Sequence, residues 1–264
     1  MGRNVRLLIA YDGSGYSGWQ RQRQGEATIQ EALEVRLAQL CSEPIIVHGA
    51  GRTDAGVHAC GMVAHFHTIA TIPLIAFHKG LNALLPADIR ILGAEEAPPD
   101  FHSRFSAYAK TYRYDFFTGM VQIPANRLYR AHYPGLFNPE LLQTACTHLV
   151  GTHDFSSFER SGSRDKDATA GRGAVRTLTK VSCVPTLGAA DHWSLRFTGD
   201  GFLRQMVRIL SGTLISIGQK KRSIDAIQTI LAAKDRTAAG PTAPACGLFL
   251  EQIHYAPAIF YSSS

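Results

Sequence analysis

The chain has 264 residues, enough for one large domain or two closely packed halves around a real core. Apolar residues make up 45% and charged residues 18%, a balance that excludes an intrinsically disordered chain. With 27 Lys+Arg against 21 Asp+Glu the net charge is +6, which favours an anionic partner, RNA or DNA ahead of a membrane surface.

The five cysteines, Cys41, Cys60, Cys146, Cys183 and Cys246, are scattered without a C-x-x-C pair. That argues against a disulfide framework or a zinc knuckle and fits a reducing cytoplasm. The first apolar run is too short for a signal peptide, and no stretch approaches the roughly 20 apolar residues of a membrane span. A soluble cytoplasmic protein with no membrane partner is expected.

In chain order, "VRLLIAY" (Val5 to Tyr11) reads as a strand ended by the turn "DGSG". "TIQEALEVRLAQLC" is the clearest helix: Thr28 and Glu31 have capping-box spacing, and Ile29, Leu33, Leu37 and Leu40 share one face. "PIIVHGAG" and "GMVAHFHT" read as strands flanking "AGRTDAGVHA", which places that motif in a strand-to-strand loop. "PLIAFHKGLNALLP" reads as a helix ending before Pro86, and "DIRILGAEEA" as a short strand. The pattern then begins again. "KTYRYDFFTG" reads as a strand, and "NPELLQTACTHLVG" as a helix capped by Asn138, with Pro139 first and Gly151 beyond its end. "VRTLTKVSCV" and "HWSLRFTG" are strands, "FLRQMVRILSGTLISIG" a long amphipathic helix, "SIDAIQTILAAKD" another helix and "CGLFLEQIHY" a last strand. This order suggests two similar halves, 1–106 and 107–264, in an α+β fold with an antiparallel-rich sheet.

The loop "AGRTDAGVHA" holds one carboxylate, Asp54, beside Arg52. An aspartate in a Gly-containing turn ordinarily serves its own backbone. Arg52 could hold that carboxylate ionised, or form a surface ion pair of little consequence. His58, His65 and His67 invite a metal reading, but no H-E-x-x-H or equivalent set accompanies them, so no metal is expected. A paired-carboxylate hydrolase would need a second acid, and Glu95, Glu96 and Asp100 read as a solvated turn. The stretch "FHSRFSAYAKTYRYDFF" interleaves Arg104, Lys110 and Arg113 with Phe105, Tyr108, Tyr112 and Tyr114. Such a mixture suits base stacking beside phosphate contacts, or else a strand with an aromatic core face and a charged outer face. Lys220, Lys221 and Arg222 suit a helix C-terminus, and the basic segment Glu159 to Gly173 reads as a surface loop or an RNA-backbone contact.

"YDGSGYSGWQRQ", "AGRTDAGVHA", "FHSRFSA", "KTYRY", "MVRILSGTLISIG", "LAAKDR" and "CGLFL" occur in that order between Leu7 and Tyr255. Together they resemble the tRNA pseudouridine synthase A family. The resemblance implies the pseudouridine synthase fold, with two similar α/β halves around a mixed, largely antiparallel sheet and a central RNA-binding cleft. It implies isomerisation of uridine to pseudouridine in the tRNA anticodon stem-loop (tRNA positions 38, 39 or 40), a homodimer, and no metal or organic cofactor. By the same resemblance Asp54 is the catalytic aspartate, acting as nucleophile, and Tyr112 the substrate-contacting tyrosine. Arg52 helps displace the target base, Arg208 is the basic partner of the acid, and Leu248 lies beside the pocket. A tRNA-binding chaperone without chemistry is the alternative, and a metal-dependent hydrolase the distant one.

Overall fold

The computed structural model describes residues 2–22, 25–160, 173–186, 188–189 and 191–260. The fold is α+β, with a mixed, largely antiparallel sheet of ten strands and five α-helices among the described residues. The chain divides into two compact units, one up to Lys110 and resumed from Phe249 onwards, the other from Thr111 to Leu248.

The first unit is built on β1 (Arg3–Tyr11), a central strand between β3 (His58–Thr68) and β4 (Ile89–Ala97), antiparallel to both. Val5, Leu7 and Ile9 on one face are fully buried, and Asn4 and Leu8 on the other are buried too, so the strand is covered on both faces. Helix α1 (Ile29–Cys41) starts where the capping pattern put it: the Thr28 hydroxyl accepts from the Glu31 N–H at 3.4 Å. Its Ile29, Leu33 and Leu37 are fully buried, each burial contributing roughly 1.5–3 kcal/mol. The stretch expected as one helix before Pro86 is a π-helical turn, Ala76–Gly80, continuing into the short α2 (Leu81–Leu84). The turn seats Phe77 edge-on to Phe66, ring centroids 5.3 Å apart.

Two strand expectations change in this unit. "PIIVHGAG" yields only the two-residue β2 (His48–Gly49), paired with His65 and Ala64, whereas Ile45 and Val47 are buried outside any strand. Glu95 and Glu96 lie on β4 and not in a turn; Arg6 pairs with Glu95 at 2.8 Å and Arg3 with Glu96. The last strand, β10 (Leu248–Tyr255), runs parallel to β3 with Phe249 opposite His58 and Leu250 opposite Ala59.

In the second unit β5 (Ala107–Phe117), which enters from the first, is followed across the sheet by β9 (His192–Gly199), β8 (Val175–Pro185) and β7 (Gly151–Asp154). The pairs β8–β9 and β7–β8 are antiparallel. A two-residue strand, β6 (Ala131–His132), lies against the end of β5. Helix α3 (Pro139–Thr147) carries the expected Asn138 cap, whose side chain accepts from the Leu141 N–H at 3.0 Å. Helix α4 (Met206–Gly218) packs on α3 and buries Ile209, Leu210 and Leu214 completely. It begins four residues later than the apolar pattern from Phe202 suggested, because Gln205 takes a left-handed conformation, φ +60°, that no helix can include. Helix α5 (Ala226–Ala233) completes the unit. Of the basic segment 159–173, Arg164, Lys166 and Arg172 lie outside the described residues.

Candidate active site

Asp54 stands in the connection from β2 to β3, as its flanking strands suggested. It takes the first position of a tight turn: its carbonyl accepts from the Val57 N–H at 3.2 Å, and Gly56 supplies the positive φ of +75°. Asp54 is partly buried, and Arg52 and Ala55 are exposed.

The loop is pinned from several sides. The hydroxyls of Thr53 and Tyr11 meet at 2.8 Å in a buried contact, and the Trp19 N–H donates to the Thr53 carbonyl at 3.1 Å. The Gly56 N–H donates to the Tyr16 carbonyl at 3.3 Å. Lys110 Nζ donates to the Ala50 carbonyl at 2.6 Å, and the Ala50 N–H donates to Val63 at 2.8 Å. At the start of β3 the buried His58 Nδ1 accepts from the Gly13 N–H at 3.1 Å, next to the Asp12 carboxylate. The segment "YDGSGYSGWQ" is therefore the frame on which the Asp54 loop rests. A carboxylate on a loop this constrained is pre-positioned, which is what proximity catalysis requires.

Lys110 is a functional candidate that sequence reasoning left among the general basic residues. Burial, reinforced by the Arg104 charge, lowers its pKa from 10.5 to about 8. The sequence signals for it were its place among aromatic residues and at the head of "KTYRY".

The histidines do not converge on an ion. His58 is committed to Asp12 and Gly13, whereas His65 Nδ1 accepts from the Ser103 N–H at 3.2 Å and stacks on His48, centroids 5.1 Å apart. Among the described residues no group of three His, Cys, Asp or Glu is placed to hold a metal.

The other sequence candidates belong to the second unit. Tyr112 is buried on β5 with its ring edge-on to Phe202, centroids 5.0 Å apart. Arg208 lies in the first turn of α4; its Nε donates to the Ala243 carbonyl at 2.8 Å, and the Ala243 N–H donates back to the Arg208 carbonyl at 3.1 Å. Leu248, at the head of β10, is buried. Beside these, the Tyr114 hydroxyl donates to the Pro244 carbonyl at 3.0 Å, and burial followed by the neighbouring Tyr133 phenol pushes its pKa up. Of the basic run after α4, Arg222 is spent internally, donating to the carbonyls of Ala238 and Ala239.

A family model describing tRNA pseudouridine synthase matches residues 7–106 and 145–256. The chain belongs to the tRNA pseudouridine synthase family. The matched segments include Arg52, Asp54, Arg208 and Leu248, and Tyr112 falls in the stretch between them. Family relatives are similar along nearly the whole chain. A protein of Desulfotalea psychrophila named tRNA pseudouridine synthase A 1 is 49% identical over 253 residues, 96% of this chain and 100% of its own. The tRNA pseudouridine synthase A of Geotalea uraniireducens is 44% identical over 253 residues, again 96% and 100%. The tRNA pseudouridine synthase A 2 of Clostridium tetani is 42% identical over 256 residues, 97% and 100%. Among the described residues no helix is long and apolar enough to cross a membrane.

Proposed function

We propose that this protein isomerises uridine to pseudouridine in tRNA, with Asp54 as the catalytic acid and the anticodon stem-loop as substrate. The observation that carries the reading is the pinned Asp54 loop in a chain of this family. The glycosidic bond from C1′ to N1 breaks, the uracil turns within the pocket, and a bond from C1′ to C5 forms. The C5 proton is then lost and N1 gains one, so the product is an isomer and neither water nor an electron carrier is consumed. A single ionised carboxylate suffices, as nucleophile or as a base toward the sugar, and is released at the end. The second acid that a hydrolase requires has no part in this reaction.

The remaining roles are those that the family resemblance implies, and side-chain chemistry suits them. Arg208 takes the part of the basic residue that the reaction sets beside a catalytic carboxylate. Tyr112 stacks on the extruded uracil, and its hydroxyl relays the last proton. Leu248 excludes water, so the detached base is retained. Extruding a base costs a few kcal/mol of stacking, offset by Arg52 and by backbone contacts to the RNA. The working form is a cytoplasmic homodimer.

The test is release of a hydrogen isotope from C5 of labelled uridine in a tRNA transcript. The protein releases it and Asp54→Asn does not, although Asp54→Asn still binds the tRNA. Undiminished release by Asp54→Asn overturns the role of the acid. Binding by the unaltered protein without release would establish instead a tRNA-binding protein that performs no chemistry.

A further inference from the structure

The stretch His102 to Ser106 is a tight turn fixed by its own side chains. The His102 N–H donates to the Ser106 hydroxyl at 3.0 Å, and the Ser106 N–H donates to the His102 carbonyl at 2.9 Å. His102 Nδ1 accepts from the N–H groups of Arg104 and Phe105 at 3.1 and 3.4 Å. On this braced turn the Phe105 ring is 75% exposed. It is supported on one side by the His102 ring, centroids 4.3 Å apart and tilted by 35°. The Arg104 guanidinium stands 5.6 Å from the ring centroid.

A single exposed phenylalanine needs no explanation. Two cations of the same stretch, Arg104 and Lys110, accompany this one. Among the described residues no carboxylate pairs with Arg104 or with Lys110. Two like charges close enough to perturb one another are costly unless an anion joins them. Lys110 uses one N–H on the Ala50 carbonyl, four residues before Asp54, and an ammonium has three to give. Lys110 therefore borders the loop that carries the candidate acid.

We propose that Arg104, Phe105 and Lys110 form a subsite for one unpaired nucleotide of the RNA: the guanidinium and ammonium hold its phosphodiester and Phe105 stacks on its base. Aromatic stacking beside a phosphate contact is the general chemistry of single-stranded nucleic acid recognition, and it is indifferent to which base is present. The inference rests on the functional reading above and adds to it a second point of attachment, beside the Asp54 loop.

The test is a binding titration of an unmodified tRNA transcript at several salt concentrations, with melting temperatures recorded for each protein. Phe105→Ala weakens binding by about five- to a hundredfold, the span of base–aromatic stacking, and leaves the salt dependence unchanged. Arg104→Gln weakens binding and flattens the slope of log K against log salt by about 0.7, one single-strand phosphate contact. If Phe105→Ala melts early, Phe105→Leu keeps the apolar bulk without the aromatic face and gives the same readout. Affinity and salt slope equal to the parent's in both the Phe105 and Arg104 variants overturn the subsite. A parent that does not bind tRNA overturns the functional reading as well, whereas a parent that binds and isomerises while the variants match it overturns the subsite alone.

Discussion

The Trp19 N–H donates to the Thr53 carbonyl at 3.1 Å, one residue before the candidate acid, and the residue before Trp19 is a glycine pressed against the same peptide. Gly18 has φ +98°, and a Cβ placed on it would stand 2.6 Å from the Thr53 carbonyl oxygen and 3.1 Å from the Asp54 carbonyl carbon. Gly18→Ala therefore meets both a left-handed backbone and a backbone clash. The expected cost is about 1–2 kcal/mol from the backbone conformation alone. Because the clash pushes on the Asp54 peptide, turnover on tRNA should fall by more than the loss of stability explains. Melting temperature and single-turnover rate, measured together, check this; a destabilised variant with an unchanged rate would show that the loop tolerates displacement.

His65, held by Ser103, contributes to the acid limb of stability. His65 is buried, its Nδ1 accepts from the Ser103 N–H, and His48, His67 and His102 face it. Burial, with the charges of His102, His48 and His67 adding to it, lowers its pKa from 6.5 to about 4. Between those values the unfolded chain holds a proton that the folded protein does not, so stability falls as pH falls from 6.5 toward 4. His65→Gln retains an acceptor and cannot titrate. Its unfolding free energy should depend less steeply on pH in that window, as denaturant titrations at a series of pH values will show; parallel curves would assign the acid limb elsewhere.

These relationships divide what sequence discloses from what it does not. Caps are local, so Thr28 and Asn138 announce α1 and α3, and two flanking apolar runs suffice to place Asp54 in a loop. A helix start governed by one backbone angle, as at Gln205, leaves no mark in an apolar pattern that runs through it. Pairings between distant segments are silent too. Nothing near Lys110 points to Ala50, and nothing near Phe249 points to His58. The acid was legible because its motif is contiguous, whereas the frame that fixes it is drawn from Tyr11, Trp19 and Lys110.

Lys110 supplies a prediction at the alkaline end. Its pKa is lowered from 10.5 to about 8, so between those values the unfolded chain binds a proton that the folded protein has released. Stability attributable to this residue therefore rises as pH rises from about 8 to 10.5, the reverse of a lysine that gains a carboxylate. Lys110→Met removes the titration. The parent should gain stability relative to Lys110→Met across that window, and a constant difference would mean that the ammonium is solvated. Below pH 8 the variant also loses the hydrogen bond to the Ala50 carbonyl and the ammonium assigned to the RNA phosphate, so turnover should slow and tRNA affinity should fall together.

Tyr112 offers the sharpest separation of binding from chemistry. Its ring is buried edge-on to Phe202, and phenylalanine preserves that packing, so Tyr112→Phe should stay folded, its melting temperature recorded alongside. Stacking on uracil needs only the ring, and tRNA affinity should change little. Loss of the hydroxyl removes one proton-transfer group, an effect typically of 10²–10⁴-fold where such a group acts in the rate-limiting step. The expected result is near-parental affinity with strongly slowed release of the C5 hydrogen isotope. Tyr112→Leu, which lacks the aromatic face, should lose affinity as well. Full activity in Tyr112→Phe would eliminate the hydroxyl from the reaction and leave Tyr112 as a stacking surface only. The final proton would then pass through Asp54 or through solvent admitted after the new C–C bond has formed.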